Sequence, residues 1–274
     1  MASHPSSSGI RKLWRWIKVP VILYGAMSLF ACTVADHVIF QPPPPSYAAD
    51  ADALIRFETS AGESIAALHF PAPHGRPTLL YSHGNAEDIG HSLPIYRAFE
   101  QAGLGVFAYD YPGYGHSEGR PGEAACERAI EAAWNHLTSD LGVQPRDVVI
   151  VGRSVGSGPS VWLDARTEPR ALVLLSPFKS AFAVMAPAHL IFPGDRFPNK
   201  KRLKDSQTPL LVIHGKFDGV IPTSHGRALV DASAAETKNF IEIFGAGHNT
   251  LFQEAGPEVV EAIRDFTVET AGPR

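Results

Sequence analysis

The chain has 274 residues, 45% of them hydrophobic and 19% charged, with a formal net charge of −4. This excludes a disordered or fibrous chain, and the weak negative charge excludes a general nucleic-acid binder, which needs a basic face. Two cysteines, Cys32 and Cys126, are too few for a disulfide framework. No Cys/His spacing resembles a metal site, so neither metal nor organic cofactor is expected.

The front end reads in three parts. Residues 1–18 form a basic tail in which Arg11, Lys12, Arg15 and Lys18 alternate with Trp14 and Trp16. Residues 19–35 carry no charge, which is the lower limit for crossing a bilayer as a helix. Basic residues ahead of such a run predict a cytoplasmic N-terminus and an exported domain, periplasmic in a bacterium. Three other readings stay open: a cleavable signal ending near Thr33-Val34-Ala35, a lipoprotein-like run at Leu29-Phe30-Ala31-Cys32, and a buried helix of the domain itself. Residues 36–50, with Gln41-Pro42-Pro43-Pro44-Pro45, read as a stiff Pro-rich linker to a domain over 51–274.

Within that domain, two β-like runs at 53–58 and 64–70 are joined by the turn signal Ala61-Gly62. Apolar runs then alternate with helical stretches. Strands are expected at 78–82, 105–109, 147–151, 171–175, 210–214 and 239–244, and helices at 90–101, 122–138, 155–165, 224–231 and 257–270. Near-continuous apolar strands with helical crossovers indicate an α/β domain whose mostly parallel sheet is covered by helices on both faces. Chemistry in such sheets gathers at the carboxyl ends of the strands. The interval 177–206 breaks the alternation but holds Phe178, Phe182, Met185, Leu190, Ile191, Phe192 and Phe197. It is expected to form a short helical cap that lines an acyl groove, the alternative being simply a long crossover.

Gly152-Arg153-Ser154-Val155-Gly156 follows the buried run VVIV and opens a helical stretch, which is the strand–turn–helix setting of a nucleophile elbow. The N–H of Val155 at the helix start can face a developing oxyanion. A serine needs a base, and the base an orienting carboxylate. Asp218 follows the strand LLVIH and His248 follows FIEIF, both through glycine-containing turns. Leu79-Leu80-Tyr81-Ser82-His83-Gly84-Asn85 is a strand entering a glycine turn, so the N–H of Asn85 is the expected second oxyanion donor. His83, Asp110 and His214 read as loop braces.

Together, SHGNAEDIG (82–90), YDYPGYGHSEG (109–119), GRSVGSGP (152–159), VIHGKFDGVIP (212–222) and GAGHN (245–249) resemble the α/β-hydrolase superfamily. The branch is the membrane-anchored one related to bud-emergence-type hydrolases and the ABHD protein depalmitoylases. The resemblance implies an eight-stranded sheet with an antiparallel second strand, and Ser154, Asp218 and His248 as the triad. Two features depart from those relatives. Cys32 stands alone where the depalmitoylases carry a cysteine-rich, palmitoylated N-terminus, and Thr250 follows the His-Asn pair. The function expected is hydrolysis of acyl esters or thioesters through an acyl-enzyme. The alternatives are a peptide or amide hydrolase of the serine-aminopeptidase kind and a non-catalytic binding protein of the same fold. The expected partners are a small or lipid-like acyl substrate and a membrane reached through the N-terminal segment.

Overall fold

The structure, a computed structural model, describes residues 7–51, 53–185 and 195–270. The side chains of residues 1–15, 27, 30–33 and 185, and all of 186–194, lie outside the description. With them go the basic cluster Arg11, Lys12 and Arg15, the Cys32 side chain, and Met185, Leu190, Ile191 and Phe192.

Eight strands form one sheet: β1 (Leu54–Glu58), β2 (Ser64–Phe70), β3 (Thr78–Ser82), β4 (Gly105–Tyr109), β5 (Val148–Arg153), β6 (Ala171–Leu175), β7 (Leu210–Gly215) and β8 (Lys238–Ile243). Their order is β1-β2-β4-β3-β5-β6-β7-β8. β2 is antiparallel to both neighbours, and every later pair is parallel. This is the sheet that the resemblance implies. The helices are α1 (Ser7–Ile39), α2 (Leu93–Gln101), α3 (Glu123–Asn135), α4 (Ser157–Asp164), the short α5 (Ala181–Met185) and α6 (Asn199–Arg202), α7 (Ser224–Ala232) and α8 (Leu251–Glu269).

The two-residue period of a strand divides each apolar run between two cores. Leu80, Ile150, Leu172, Leu174 and Val212 point to one face, where Ile130 and Ala133 of α3, Val161 of α4 and Leu229 of α7 cover them. Leu79, Val149, Val151, Val173 and Leu211 point to the other, beneath Tyr96 and Phe99 of α2 and Val259, Ile263 and Phe266 of α8. Each such side chain, fully buried, contributes about 1.5–3 kcal/mol. The continuous Val/Ile/Leu runs therefore specify a sheet that needs a cover on each side. α8 begins six residues before the expected start at 257. Pro257 lies inside it, and the backbone departs from helical angles at Ala255 (φ −140°) rather than stopping; a proline cannot donate to the preceding turn, so the helix bends there.

The front end differs from the sequence expectation. Residues 19–35 fall within α1, but among the described residues no helix is long and apolar enough to cross a membrane. The described residues therefore do not support a single-pass helix. The end of α1 is engaged by the domain instead: Ala35 and Phe40 are buried, Asp36 pairs with Arg196 at 2.8 Å, and Phe40 packs edge-on against Phe197. The proline-rich stretch is likewise fastened down. Ser46 N–H donates to Asp88 (2.7 Å), Gln41 N–H to the Tyr114 hydroxyl (3.0 Å), and the Tyr47 hydroxyl to Asp110.

In the cap interval, Phe178, Phe182 and Phe197 are buried. Phe178 and Phe197 belong to the core that α3 and α4 cover. Phe197 lies so close over Gly158 that a Cβ there would stand 2.4 Å from its ring. Phe178 and Phe197 thus pack inward, as core.

Candidate active site

Ser154 stands immediately after β5 with φ +51°, in the left-handed region that a non-glycine residue occupies only under constraint. The constraint is the tightness of the strand-to-helix turn. A Cβ at Gly156 would lie 2.3 Å from the Ser82 carbonyl oxygen, and one at Gly152 would lie 2.6 Å from the Gly156 carbonyl oxygen. Both glycines are required by close backbone approach. Gly156→Ala is expected to cost about 1–3 kcal/mol or more through overpacking, read as a fall of several degrees in Tm. An unchanged Tm would show that the turn has room the geometry denies.

The three residues singled out in the sequence come together. Ser154 Oγ lies 2.8 Å from His248 Nε2, and His248 Nδ1 lies 2.8 Å from Asp218 Oδ2. With Nδ1–H donating to the carboxylate, Nε2 is left with its lone pair facing the serine hydroxyl, which is the tautomer a general base needs. The loops are brought into reach by backbone bonds that continue the β7–β8 pairing: Lys216 N–H to Ile243 O (2.8 Å) and Phe217 N–H to Ala246 O (2.9 Å). Thr250, a departure noted in the sequence, has a clear place here. Its Oγ1 accepts the Gly247 N–H at 2.9 Å and closes the loop that carries His248 onto the start of α8.

Asp218 is held by more than His248. Its Oδ1 accepts the N–H groups of Val220 (2.9 Å) and Ile221 (2.7 Å), while His214 Nε2 stands 3.2 Å from Oδ2 and 2.8 Å from Ile221 O. Burial by itself would raise this carboxyl. The hydrogen bonds from His214, His248 and the Ile221 amide outweigh it and hold Asp218 well below the usual carboxylate range. His214 is fully buried and braces the acid loop from beneath.

On the other side of Ser154, the 84–87 loop is tied to the elbow. Glu87 pairs with Arg153 at 2.6 Å and also accepts the Gly84 N–H. Ala86 takes φ +55°. His83 is fully buried, with Nδ1 2.8 Å from the Gly84 carbonyl and Nε2 3.2 Å from the Asp110 carboxylate. Burial opposes a charge on this ring, but the two acceptors win and raise its pKa. Asn85 contributes a contact that no local motif discloses. Its side-chain amide donates to Ile39 O (2.6 Å), at the end of α1, and its Oδ1 accepts Gln41 N–H (3.0 Å) and the Tyr114 hydroxyl (2.7 Å). The N-terminal segment thus grips the turn whose backbone amide was singled out. Val155 sits in the turn of 3-10 helix Ser154–Gly156 that leads into α4.

Ser154 and His248 open on a cleft of about 890 Å³, which is also lined by Asn85, Glu87 and Arg153. Such a volume suits a small-molecule site. Among its described lining residues the one carboxylate is Glu87. Among the described residues no group of three or more His, Cys, Asp or Glu could hold a metal ion. Cys126 is buried in the core, and burial pushes its thiol well up.

A family model described as serine aminopeptidase, S33, matches residues 73–192. The chain is 34% identical over 272 residues to α/β-hydrolase domain-containing protein 17B of Homo sapiens, covering 87% of this chain and 93% of that one. It is 36% identical over 197 residues to α/β-hydrolase domain-containing protein 17C of Mus musculus, covering 71% and 61%. Among solved structures, an esterase of Pyrococcus furiosus matches with a TM-score of 0.70 at 15% identity, covering 85% of this chain and 100% of that one. A monoacylglycerol lipase of Paleococcus ferrophilus matches with a TM-score of 0.58 at 20% identity, covering 75% and 99%. At these identities the solved structures speak to the fold.

Proposed function

The chain belongs to the α/β-hydrolase family, within the group of α/β-hydrolase domain-containing protein 17, and from that premise we propose that it is a serine hydrolase of acyl esters or thioesters with Ser154 as nucleophile. His248 Nε2 takes the hydroxyl proton as Oγ bonds to the substrate carbonyl carbon. The carbonyl oxygen becomes an oxyanion facing the N–H groups of Asn85 and Val155. Collapse expels the alcohol or thiol, which receives the proton from His248 and leaves an acyl-serine. Water then repeats the sequence and releases the carboxylic acid. The Asp218 carboxylate stabilises the imidazolium formed in each half. No step calls for a metal.

The observation that carries this reading is the unbroken pair of 2.8 Å contacts, Ser154 to His248 and His248 to Asp218, behind a serine held at φ +51°. A fluorophosphonate probe is expected to label the full-length protein at Ser154. Labelling that persists at another residue in Ser154→Ala would remove Ser154 as the nucleophile. An aminopeptidase would need a carboxylate free to meet a substrate ammonium in the cleft. Glu87 is committed to Arg153, Ser92 and the Gly84 amide, which favours an ester or thioester.

A membrane role for α1 belongs to the same reading. Trp16, Ile17, Val19, Val21, Ile22 and Leu23 are all more than half exposed. Such an apolar helical surface is expected to lie against lipid. The full-length protein should float with anionic phospholipid vesicles in a density gradient, and Ile22→Glu with Leu23→Glu should abolish flotation. Wild-type protein left at the bottom of the gradient would contradict lipid association.

A further inference from the structure

The cleft that holds Ser154 and His248 continues away from them between two helices, and its walls have a distinct composition. One wall is α2, which starts just beyond the 84–92 segment and presents Pro94, Ile95 and Ala98. The other is α8, which starts three residues after His248 and presents Phe252, Gly256 and Val260. Ile95 and Ala98 are three apart on α2, and Gly256 and Val260 are four apart on α8 beyond its bend at Ala255, so each pair lies along one stripe, with Phe252 on the same wall ahead of the bend. Phe252, Gly256 and Val260 follow one another along the α8 wall. Its middle position is a glycine over open space, because a Cβ at Gly256 would meet no atom within 4 Å. An extended apolar trough therefore runs from the nucleophile, and Gly256 keeps it open.

We propose that this α2–α8 trough is the subsite for the acyl chain of the substrate, with Gly256 and Ala98 setting the length it accepts. The proposal rests on the serine-hydrolase reading and places the acyl pocket at these helices rather than at the 177–206 interval, whose Phe178 and Phe197 are buried in the core. The acyl part is the occupant that fits. It takes part in both halves of the reaction, bonding to Ser154 in the first and leaving it in the second, so its burial assists acylation and deacylation alike. The leaving group departs after the first half and must give way to water. Beside Pro94, Ile95, Ala98, Phe252, Pro257 and Val260, the two helices line the cleft with the neutral amides Gln101 and Gln253 and with no charged side chain, as suits a hydrocarbon chain.

The test uses full-length protein and p-nitrophenyl esters from acetyl to palmitoyl. In the wild type, kcat/KM should rise by up to about fourfold for each buried methylene and level off at medium lengths, where the trough ends. Gly256→Leu should cut the ratio of decanoyl to acetyl kcat/KM at least tenfold, and Gly256→Ala by a smaller factor in the same direction. Ala98→Leu, from the opposite wall, should act as Gly256→Leu does, so one poorly folding variant does not remove the test. Tm measurements establish that each variant is folded. Ratios unchanged in both leucine variants would overturn the trough assignment. So would a ratio that responds only to alcohol length in a series of alkyl acetates, since that places the leaving group there. A wild type inert to every ester and unlabelled by fluorophosphonate would overturn the hydrolase reading itself, and this proposal with it.

Discussion

Ser154→Ala should lower kcat by a factor on the order of 10⁵ to 10⁶ while leaving KM for an acyl ester within a few-fold of wild type, because nucleophile, base and orienting acid act as a unit. Removing Oγ abolishes the acyl-enzyme, and the residual rate comes only from oxyanion donors and binding. The substitution removes one oxygen at a position whose backbone is already fixed by Gly152 and Gly156, so the fold should be preserved. Burst kinetics with a chromogenic ester provide the check: wild type should release a first equivalent of chromophore quickly and Ser154→Ala should show no burst. A variant that keeps its burst would assign the nucleophile elsewhere.

Asp218→Asn should cost on the order of 10⁴-fold in kcat. The amide keeps the shape of the carboxylate, but its NH₂ can face His248 Nδ1 only if that nitrogen gives up its proton. Nε2 then carries the proton and cannot accept one from Ser154. The same carboxylate has a pH signature. Its pKa is depressed in the folded protein, so it contributes stability that is fully present above the ordinary carboxylate value of about 3.9 and is lost as pH falls through the lower folded value. Relative to Asp218→Asn, the wild type should therefore gain stability as pH rises out of the acid range and keep a constant difference near neutrality. Denaturant melts at several pH values read this directly. A difference that grows above neutral pH would have the wrong sign and would point to another group.

Much of the site was legible in the chain because its signals are local. A strand of period two ending in Gly-x-Ser-x-Gly describes a backbone path that few other sequences can take, and the φ of Ser154 with the crowding at Gly156 bears out that steric logic. Asp218 and His248 were singled out because each follows an apolar run by a short glycine-containing turn, and parallel strands deliver such turns to one edge of the sheet. His83, Asp110 and His214 were read as braces, and their contacts with Gly84, Ile89 and Ile221 are of that kind.

What composition could not convey was which apolar residues line space and which fill it. Phe178 and Phe197 look in the sequence like the walls of a cap, but the aromatic residues around them make them core. The open trough is built from Ala98, Gly256 and Val260, which attract no notice in a linear reading. Their stripes become one surface only because α2 and α8 cover the same face of the sheet, and that depends on strand order. The N-terminal run shows the same division. Its hydrophobicity is a property of the residues, whereas its docking through Asp36, Phe40 and the Asn85 clamp depends on groups dozens of positions away. Strand, elbow and loop order follow from steric rules acting over a few residues, which the sequence carries by itself. Pocket, clamp and docking arise from contacts between segments far apart in the chain, and packing across the finished sheet decided them.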